Sequence, residues 1–182
     1  MRLILVRHPR PLIAQGICYG SSDIQAEPEH QAQALSKLLA ALPADAALIA
    51  SPLRRCAELA TQLAAQRDAS LIFDKRLAEM DFGSWEMRPW ADIPRAEIDA
   101  WAADIVHYRP GDGENVLDVA SRVSAFHTEA QRQQRDTIVI CHAGTMRLLA
   151  ACQQGLSLQE TALRAAQTPH QIPYGTIRIM HI

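Results

Sequence analysis

The sequence has little net charge and no long apolar run, so it gives little sign of a partner bound through overall charge or of insertion into a bilayer. Its formal net charge is only −2, which gives no indication of binding to nucleic acid or to a membrane surface. No apolar run reaches the roughly 18 residues that span a bilayer, and no signal peptide opens the chain. We therefore expect a cytoplasmic protein without a nucleic-acid or membrane partner.

Cysteine is equally sparse, and no metal or nucleotide motif is present. The four cysteines form no C-x-x-C pair, and we interpret them as small buried hydrophobic residues in a reducing compartment: Cys18, Cys56, Cys141 and Cys152. A Walker A loop, an H-E-x-x-H motif and the Cys/His spacing of a metal site are all missing. The sequence therefore requires no cofactor and no metal.

Strand-like and helix-like segments alternate along the chain. Short apolar runs rich in branched residues predict strands at 3–6, 46–51, 70–73, 136–141 and 174–182. Apolar stripes with helical spacing predict helices at 28–43, 52–67, 94–107, 114–134 and 143–155. Residues 76–93 are of mixed composition and are expected to form an irregular loop.

This alternation predicts a single domain over residues 1–182 with an α/β fold. We expect a three-layer α/β/α sandwich around a mostly parallel central sheet, because such a sheet must be covered on both faces. Two successive helices without a strand between them predict a helical insertion at about 90–134. That insertion would form a lid or a side wall.

Polar residues follow three of the predicted strands: Arg7-His8 after the first, Arg54-Arg55 after the second and His142-Ala143-Gly144 after the fourth. Because ligands bind at the carboxyl ends of parallel strands, we expect these side chains to share one rim. Two of the predicted helices begin just after these strands, so their positive dipole ends would favour an anion at the same place.

Arginine, histidine and helix N-termini together describe a phosphate site. Arginine binds phosphate through a planar fork and stays charged, and a neutral imidazole can attack phosphorus and carry the phosphoryl group. A general acid is still needed to protonate the leaving alkoxide. The loop at 76–93 offers Glu79, Asp81 and Glu86 for that role.

Five segments resemble the histidine phosphatase superfamily, which has the phosphoglycerate mutase-like fold. In chain order they are LVRHP, SPLRRCAELA, LAEMDFGSWE, GDGENVLDVASRV and VICHAGTMRLL, and they extend from Met1 to about Ala150. One such motif alone would be weak evidence, whereas five in the family's order are strong evidence.

The resemblance implies a role for each matching residue. His8 would be the nucleophile that becomes phosphohistidine, and Arg7 and Arg55 would clamp the phosphoryl oxygens. His142 would join them and steady the charge of the transition state. Glu79 would protonate the leaving group and then activate the water that completes the reaction.

Residues beside these positions receive smaller roles. The family arginine directly precedes a small residue, here Cys56, so Arg54 is expected to be a solvated helix residue. Glu114 is expected to order its loop or start a helix rather than to catalyse. Ala143 and Gly144, which follow the second histidine, are expected to contact the substrate.

Two departures from the family pattern bear on activity. Pro9 stands where the family has glycine, which removes an N–H and restricts the backbone of His8, so turnover could be reduced. The family's mutases carry an asparagine shortly after their histidine, whereas Asn115 is the only asparagine of this chain. Mutases are also longer, and both points favour a hydrolase.

The segment GICYGSSDIQ resembles the α-ribazole phosphatases of cobalamin assembly, which dephosphorylate a nucleotide-like monoester. Tyr19 and Gly20 stand where relatives contact the organic part of the substrate. Tyr19 would stack on a base, an interaction of about 1–3 kcal/mol. A packed loop aromatic is an equally open interpretation of Tyr19.

These features predict a cofactor-independent phosphomonoesterase with a phosphohistidine intermediate. Its substrate would be a small phosphorylated metabolite, with α-ribazole 5′-phosphate as the first candidate. A protein phosphohistidine phosphatase, a phosphoglycerate mutase-type enzyme and a non-catalytic phospho-ligand sensor are the alternatives. Pro9 favours the sensor, whereas His8 and Glu79 together favour an enzyme.

The remaining histidines and the tryptophans carry weaker expectations. His30 and His127 fall on polar faces of helical patterns and are expected to be solvated. Surface positions are expected for His107, His170 and His181. The tryptophans would either line the helical side wall or pack in the core: Trp85, Trp90 and Trp101.

Overall fold

The computed structural model describes residues 1–169 and 171–182, so the expectation for His170 lies outside the described residues. The strands are β1 (Arg2–Arg7), β2 (Ala47–Ala50), β3 (Leu71–Phe73), β4 (Thr137–Cys141) and β5 (Ile177–His181). They form one sheet in the order β3-β2-β4-β1-β5. β1 to β4 are parallel, and β5 pairs antiparallel with β1. The predicted α/β fold with a mostly parallel sheet is confirmed.

The helices are α1 (Pro28–Ala41), α2 (Arg54–Arg67), α3 (Arg95–Ala103), α4 (Val116–Gln133), α5 (Ala143–Cys152) and α6 (Leu158–Gln167). Short 3-10 turns occur at Lys75–Leu77, Gly83–Trp85, Trp90–Asp92 and Pro110–Asp112. Within the described residues, no helix is both long enough and apolar enough to cross a membrane.

Helix α6 was not predicted, although its start carries a signal. The Ser157 side chain accepts a hydrogen bond from the backbone of Glu160, whose carboxylate accepts one from the backbone of Ser157. This reciprocal capping box is a typical helix start. The signal was missed because only three residues of the helix, Thr161, Ala162 and Ala165, are buried, which leaves a narrow apolar stripe.

The central strands supply a core on each face of the sheet. In β1, Leu3 and Leu5 pack into the core shared with α4, α5 and α6. Ile4 and Val6 point to the opposite face and pack with α1 and α2. Because successive side chains of a strand alternate between faces, a continuous apolar run such as this one requires the helical layer found on each side.

The predicted insertion at about 90–134 divides into two parts in the structure. α4 belongs to a layer of the sandwich, because Val119, Val123 and Phe126 are buried in the core that it shares with the sheet. The part before α4 instead contributes Ile93, Ile98, Trp101 and Tyr108 to a small separate cluster with Cys18 and Trp85, although Val106 is buried in the main core. That second part forms the side wall.

The prediction that His127 is solvated is wrong. His127 is only 4% exposed, and it lies four residues after Val123 and three before Ala130, on the buried stripe of α4. Burial lowers the pKa of His127. His30 is half-buried, whereas His107 and His181 are exposed as predicted.

Candidate active site

The carboxyl ends of β2, β4 and β1, three adjacent strands, bring the predicted side chains to one edge of the sheet. Arg7 is paired in register with Cys141, so His8 and His142 are the next residues of neighbouring strands. Their ring centroids are 5.1 Å apart. Arg55 joins them from the first turn of α2, which follows β2. The rim expected from the strand ends is therefore present.

His8 is held as a neutral imidazole with one free nitrogen. Its Nδ1 lies 2.6 Å from the carbonyl oxygen of Pro9, and because a carbonyl only accepts, the proton is on Nδ1 and the lone pair is on Nε2. Burial lowers the pKa of His8 well below its usual value, and the charges of Arg55 and Arg7 lower it further. Pro9 has lost its N–H, but its carbonyl fixes the tautomer that leaves Nε2 free.

Two buried arginines flank His8, each anchored by backbone oxygens. Arg7 donates to the carbonyl of Ile172 and lies over the ring of Tyr174, with its guanidinium carbon 3.9 Å from the ring centre. Arg55 donates to the carbonyls of Ser22 at 2.8 Å and Gly20 at 2.5 Å. The Nε atoms of both arginines are buried without a hydrogen-bond partner among the described residues. Both arginines line the cavity beside His8, so their guanidinium groups suit an oxyanion ligand.

His142 begins α5 and is completely buried. Its Nε2 lies 2.8 Å from the hydroxyl of Ser51 and 3.6 Å from the sulfur of Cys56. Burial lowers the pKa of His142 well below its usual value, and the charges of Arg55 and His8 lower it further. Both histidines of the rim are therefore neutral at physiological pH.

Glu79 is the one predicted acid that lines the cavity beside His8. Its carboxylate accepts hydrogen bonds from the backbone N–H groups of Gly144 and Met80, both at 3.1 Å. A Cβ added to Gly144 would overlap Oε1 of Glu79. Because Gly144 has no side chain, the Glu79 carboxylate can reach the backbone N–H of Gly144 at the N-terminus of α5.

An ion pair behind Glu79 holds the loop that carries it. Arg122 donates to the carbonyls of Arg76 and Ala78, at 2.8 Å and 2.7 Å, and to that of Glu79 at 3.3 Å. Both terminal oxygens of Glu114 accept from Arg122 at 2.9 Å. Glu114 therefore orders this loop, as the sequence predicted.

The carboxylates of Asp81 and Glu86, the other two candidate acids, accept hydrogen bonds from backbone N–H groups and do not line the cavity. Asp81 accepts from the N–H of Gly83 at 2.8 Å. Glu86 accepts from four N–H groups at 2.9–3.2 Å, those of Gly20, Ser21, Ser22 and Phe82. Because the carbonyls of Gly20 and Ser22 bind Arg55, Glu86 fixes that arginine indirectly.

The four residues predicted to contact substrate are placed differently. Tyr19 and Gly144 line the cavity, whereas Gly20 and Ala143 are buried and do not. A Cβ on Gly20 would overlap the carbonyl oxygen of Met80, so this glycine permits close packing. The hydroxyl of Tyr19 lies 2.9 Å from that of Tyr174, and burial raises the pKa of Tyr19.

The cavity has a volume of about 410 Å³ and extends from His8 towards the side wall. Trp90 and Trp101 line it, stacked with their planes 6° apart and their centroids 6.3 Å apart, and Phe82 packs against both. Trp85 is fully buried beneath them. Among the described residues, no group of three or more His, Cys, Asp or Glu is placed to hold a metal ion.

Two residues of the site, Tyr174 and Arg147, were not predicted from the sequence. Tyr174 contacts both Arg7 and the ring of His8, at a centroid distance of 5.5 Å, yet it lies far along the chain in a segment without a motif. Arg147 also lines the cavity. Arg147 lies within the segment VICHAGTMRLL, where nothing in the residue spacing indicates that it faces the site.

The α/β fold and the chemistry of this rim are those of a phosphatase. A family model described as the histidine phosphatase superfamily (branch 1) matches residues 3–172, almost the whole chain. The chain therefore belongs to the histidine phosphatase superfamily, and the resemblance drawn from its motifs is confirmed.

Known proteins agree with this assignment. The adenosylcobalamin/α-ribazole phosphatase of Escherichia coli K12 is 30% identical over 171 residues, with 83% of this chain and 78% of that protein covered. The crystal structure of the α-ribazole phosphatase from Shigella flexneri has a TM-score of 0.83 and 26% identity, and covers 100% of this chain and 91% of that one. A mycobacterial glucosyl-3-phosphoglycerate phosphatase shares the fold at 23% identity, with a TM-score of 0.73 and coverage of 89% and 83%.

Proposed function

We propose that this phosphatase is a cofactor-independent phosphomonoesterase that works through a phosphohistidine at His8. One observation carries the proposal: His8 is neutral, its Nε2 lone pair is free, and two buried arginines and Glu79 line the same cavity. A nucleophile, a phosphate clamp and a proton donor are the groups that hydrolysis through a covalent intermediate needs.

The first half of the reaction transfers the phosphoryl group to the enzyme. Nε2 of His8 attacks phosphorus, the ester P–O bond breaks, and Glu79 gives its proton to the leaving oxygen. Arg7 and Arg55, which line the cavity, stabilise the charge on the phosphoryl oxygens, whereas His142, expected to join them, is fully buried against His8 and does not line the cavity. Preorganised donors of this kind typically contribute about 2.7–4 kcal/mol each in comparable oxyanion sites.

The second half reverses the role of Glu79. Its carboxylate takes a proton from a water molecule whose oxygen attacks phosphorus, and the P–N bond to His8 breaks. Inorganic phosphate leaves, His8 regains the lone pair on Nε2, and Glu79 is again protonated. The bond between Nδ1–H and the Pro9 carbonyl is kept throughout, so the imidazole does not have to reorient.

The substrate is a small phosphorylated metabolite, and α-ribazole 5′-phosphate is the first candidate. The aromatic wall of Trp90, Trp101 and Phe82 supports this choice, because a flat heteroaromatic base would pack against it. A relative of 30% identity is named an adenosylcobalamin/α-ribazole phosphatase, which supports a role in cobalamin assembly. All four cysteines are free thiols, which supports the predicted cytoplasmic location.

No contact or residue of the site specifically favours one of the other candidate functions. Pro9, which favoured a non-catalytic sensor, still orients His8 through its carbonyl. Asn115 caps α4 through the backbone of Asp118 and does not line the cavity, so it does not supply the asparagine of the mutases. A hydrolase remains the function that the geometry supports best.

Phosphate release from a substrate panel tests the proposal. The panel holds α-ribazole 5′-phosphate, nucleoside monophosphates, 3-phosphoglycerate, a phosphohistidine peptide and p-nitrophenyl phosphate, each with the wild type and with His8→Ala. We expect turnover by the wild type, highest kcat/KM for α-ribazole 5′-phosphate, and loss of turnover in His8→Ala.

His107→Ala is the matched control, because His107 is exposed and outside the cavity. Rapid acid quench of the wild type should trap phosphate on the protein, and His8→Ala should trap none. Unchanged turnover in His8→Ala would overturn the mechanism. A clear preference for another member of the panel would overturn the proposed substrate while leaving the mechanism intact.

A further inference from the structure

Arg7 and Arg55 are like charges that line one cavity beside His8. Neither arginine forms an ion pair among the described residues. Two guanidinium cations repel each other, so the spacing between them must be fixed by contacts other than charge pairing.

Each of the two arginines is anchored to a different segment of the chain. Arg7 donates to the carbonyl of Ile172, whereas Arg55 donates to the carbonyls of Gly20 and Ser22. The distance between the two guanidinium groups therefore depends on how residues 172–176 are held relative to residues 16–22.

Each of these segments also carries a tyrosine whose ring faces the arginine that the segment anchors. The guanidinium carbon of Arg7 lies 3.9 Å from the ring centre of Tyr174, and that of Arg55 lies 5.5 Å from the ring centre of Tyr19. A guanidinium within about 6 Å of an aromatic face is attracted to it. Each tyrosine is thus coupled to its own arginine.

The backbone keeps Tyr174 beside the end of β1. The N–H of Arg7 donates to the carbonyl of Thr176 at 3.0 Å, and the N–H of Gly175 donates to the carbonyl of Arg7 at 3.2 Å. These bonds lie on either side of one peptide turn, so the ring of Tyr174 is held against both Arg7 and the ring of His8.

The two tyrosines are joined to each other by their hydroxyl groups, which lie 2.9 Å apart. Within the described residues, no other hydrogen bond links residues 16–22 to residues 172–176. Burial raises the pKa of Tyr19, and the bond to Tyr174 raises it further, so the Tyr19 hydroxyl keeps its proton at physiological pH. One continuous path of contacts therefore connects Arg7 to Arg55 through the two rings.

We propose that Tyr19 and Tyr174 are positioning residues, which hold Arg7 and Arg55 at the spacing of a phosphoryl group through the bond between the two hydroxyls. The inference rests on the proposed function, because it concerns the phosphate clamp of that reaction. Removing either hydroxyl breaks the same hydrogen bond. The effects of the two removals should therefore not add.

A double-mutant cycle with orthovanadate tests the inference. Orthovanadate resembles a phosphoryl group, and its affinity can be measured by calorimetry without turnover. Tyr19→Phe and Tyr174→Phe should each weaken binding by about twofold to tenfold, the range of one neutral hydrogen bond. The double variant should lose no more than either single variant, and kcat/KM for p-nitrophenyl phosphate should follow the same pattern.

Two further variants separate the hydroxyl from the ring and from general effects of substitution. Tyr174→Leu also removes the aromatic face under Arg7, which should weaken binding by a further factor of about two to thirty, the range of a cation–π contact. Tyr108→Phe alters the third tyrosine of the chain, which lies outside the cavity, and should bind orthovanadate as the wild type does. Urea unfolding of each variant shows that folded proteins are being compared.

Losses that multiply in the double variant would overturn the inference, because each hydroxyl would then contact the anion separately. Unchanged affinity in both single variants would also overturn it, and so would a Tyr174→Leu variant that binds as well as Tyr174→Phe. Failure of the proposed function would look different, because the wild type would then hydrolyse no substrate. The orthovanadate cycle does not need turnover and still decides the question in that event.

Discussion

The two ends of the cavity are built in opposite ways. At the phosphate end, His8, Arg55 and Glu79 are each held by backbone groups at 2.5–3.1 Å, so their geometry is set before a ligand arrives. At the organic end, Trp90 and Trp101 meet the cavity with aromatic faces, in contacts that have no fixed donor or acceptor. Preorganised polar groups serve the chemistry, whereas an aromatic wall offers packing without a fixed hydrogen-bond pattern.

The largest effect is expected at the phosphate end, from Glu79→Gln. The amide cannot donate an acidic proton, so kcat/KM for an alkyl phosphate, which reports the transfer to His8 and not the later attack of water, should fall by about 10²–10⁴, the range of general acid catalysis. Hydrolysis of p-nitrophenyl phosphate should fall far less, because p-nitrophenolate leaves without protonation. Steady-state kinetics with both substrates would measure the difference.

Glu58→Gln is the control for that experiment, since Glu58 is a surface residue of α2 whose carboxylate pairs with Arg54. It should retain wild-type rates with both substrates. An equal fall of kcat/KM for the alkyl and the p-nitrophenyl ester in Glu79→Gln would show that Glu79 is not the proton donor.

A smaller effect is expected at the organic end, from Trp90→Ala. Trp90 is 37% exposed and stacks on Trp101, so its removal should cost contact with the leaving group more than stability. We expect kcat/KM for esters with an aromatic leaving group to fall about tenfold, as for the loss of an aromatic stacking partner. The loss should appear mainly in KM, and ethyl phosphate should be affected less.

Phe73→Ala, in the outer strand β3, outside the cavity and 48% exposed, is the comparison for Trp90→Ala and should change kcat/KM for neither substrate. If Trp90→Ala slowed aromatic and alkyl esters by the same factor, the wall would have no role in selecting the leaving group.

The smallest effect concerns the buried histidines and stability. The pKa values of His8, His142 and His127 are all lowered in the folded protein, chiefly by burial. A histidine in the unfolded chain has a pKa of about 6.5, so below that pH the unfolded chain binds more protons than the folded protein. The contribution of these histidines to the unfolding free energy is therefore fully present above pH 6.5 and is lost as the pH falls. His127→Gln should make the decline of the unfolding free energy between pH 7 and 5 shallower by about 1 kcal/mol.

Urea unfolding at three pH values in that range would measure this slope, with the exposed His107→Gln as the control. A slope in His127→Gln as steep as that of the wild type would mean that His127 is solvated enough to titrate in the folded state.

The lowered pKa of His8 also has a consequence for catalysis. Because the pKa of His8 is lowered, kcat/KM should not fall as the pH passes through 6.5 on account of His8.

The parts of the site that the sequence predicted lie next to strands. Arg7 and His8 follow an apolar run whose branched residues predict a buried strand, and Pro9 forbids its continuation. His142 follows a second such run. Parallel neighbouring strands place their carboxyl ends together, so local patterns were enough to bring these residues to one rim.

The parts that were missed depend on segments far apart in the chain. Tyr174 reaches Arg7 through the turn before β5, and no local pattern marks that contact. His127 occupies a position that is polar by residue type and buried by its place on α4. The start of α6 did carry a local signal, the pairing of Ser157 with Glu160, and was missed because the helix buries few apolar residues.

The sequence by itself determined the α/β class, the phosphatase family and the residues of the rim, because each depends on a contiguous segment of strand, turn and helix. Only the tertiary structure decided that Glu86 fixes the loop behind Arg55 and that Arg147 forms no ion pair within the described residues. The physical reason is that hydrogen-bond and charge pairing are settled by partners from remote segments, and packing alone brings those partners together.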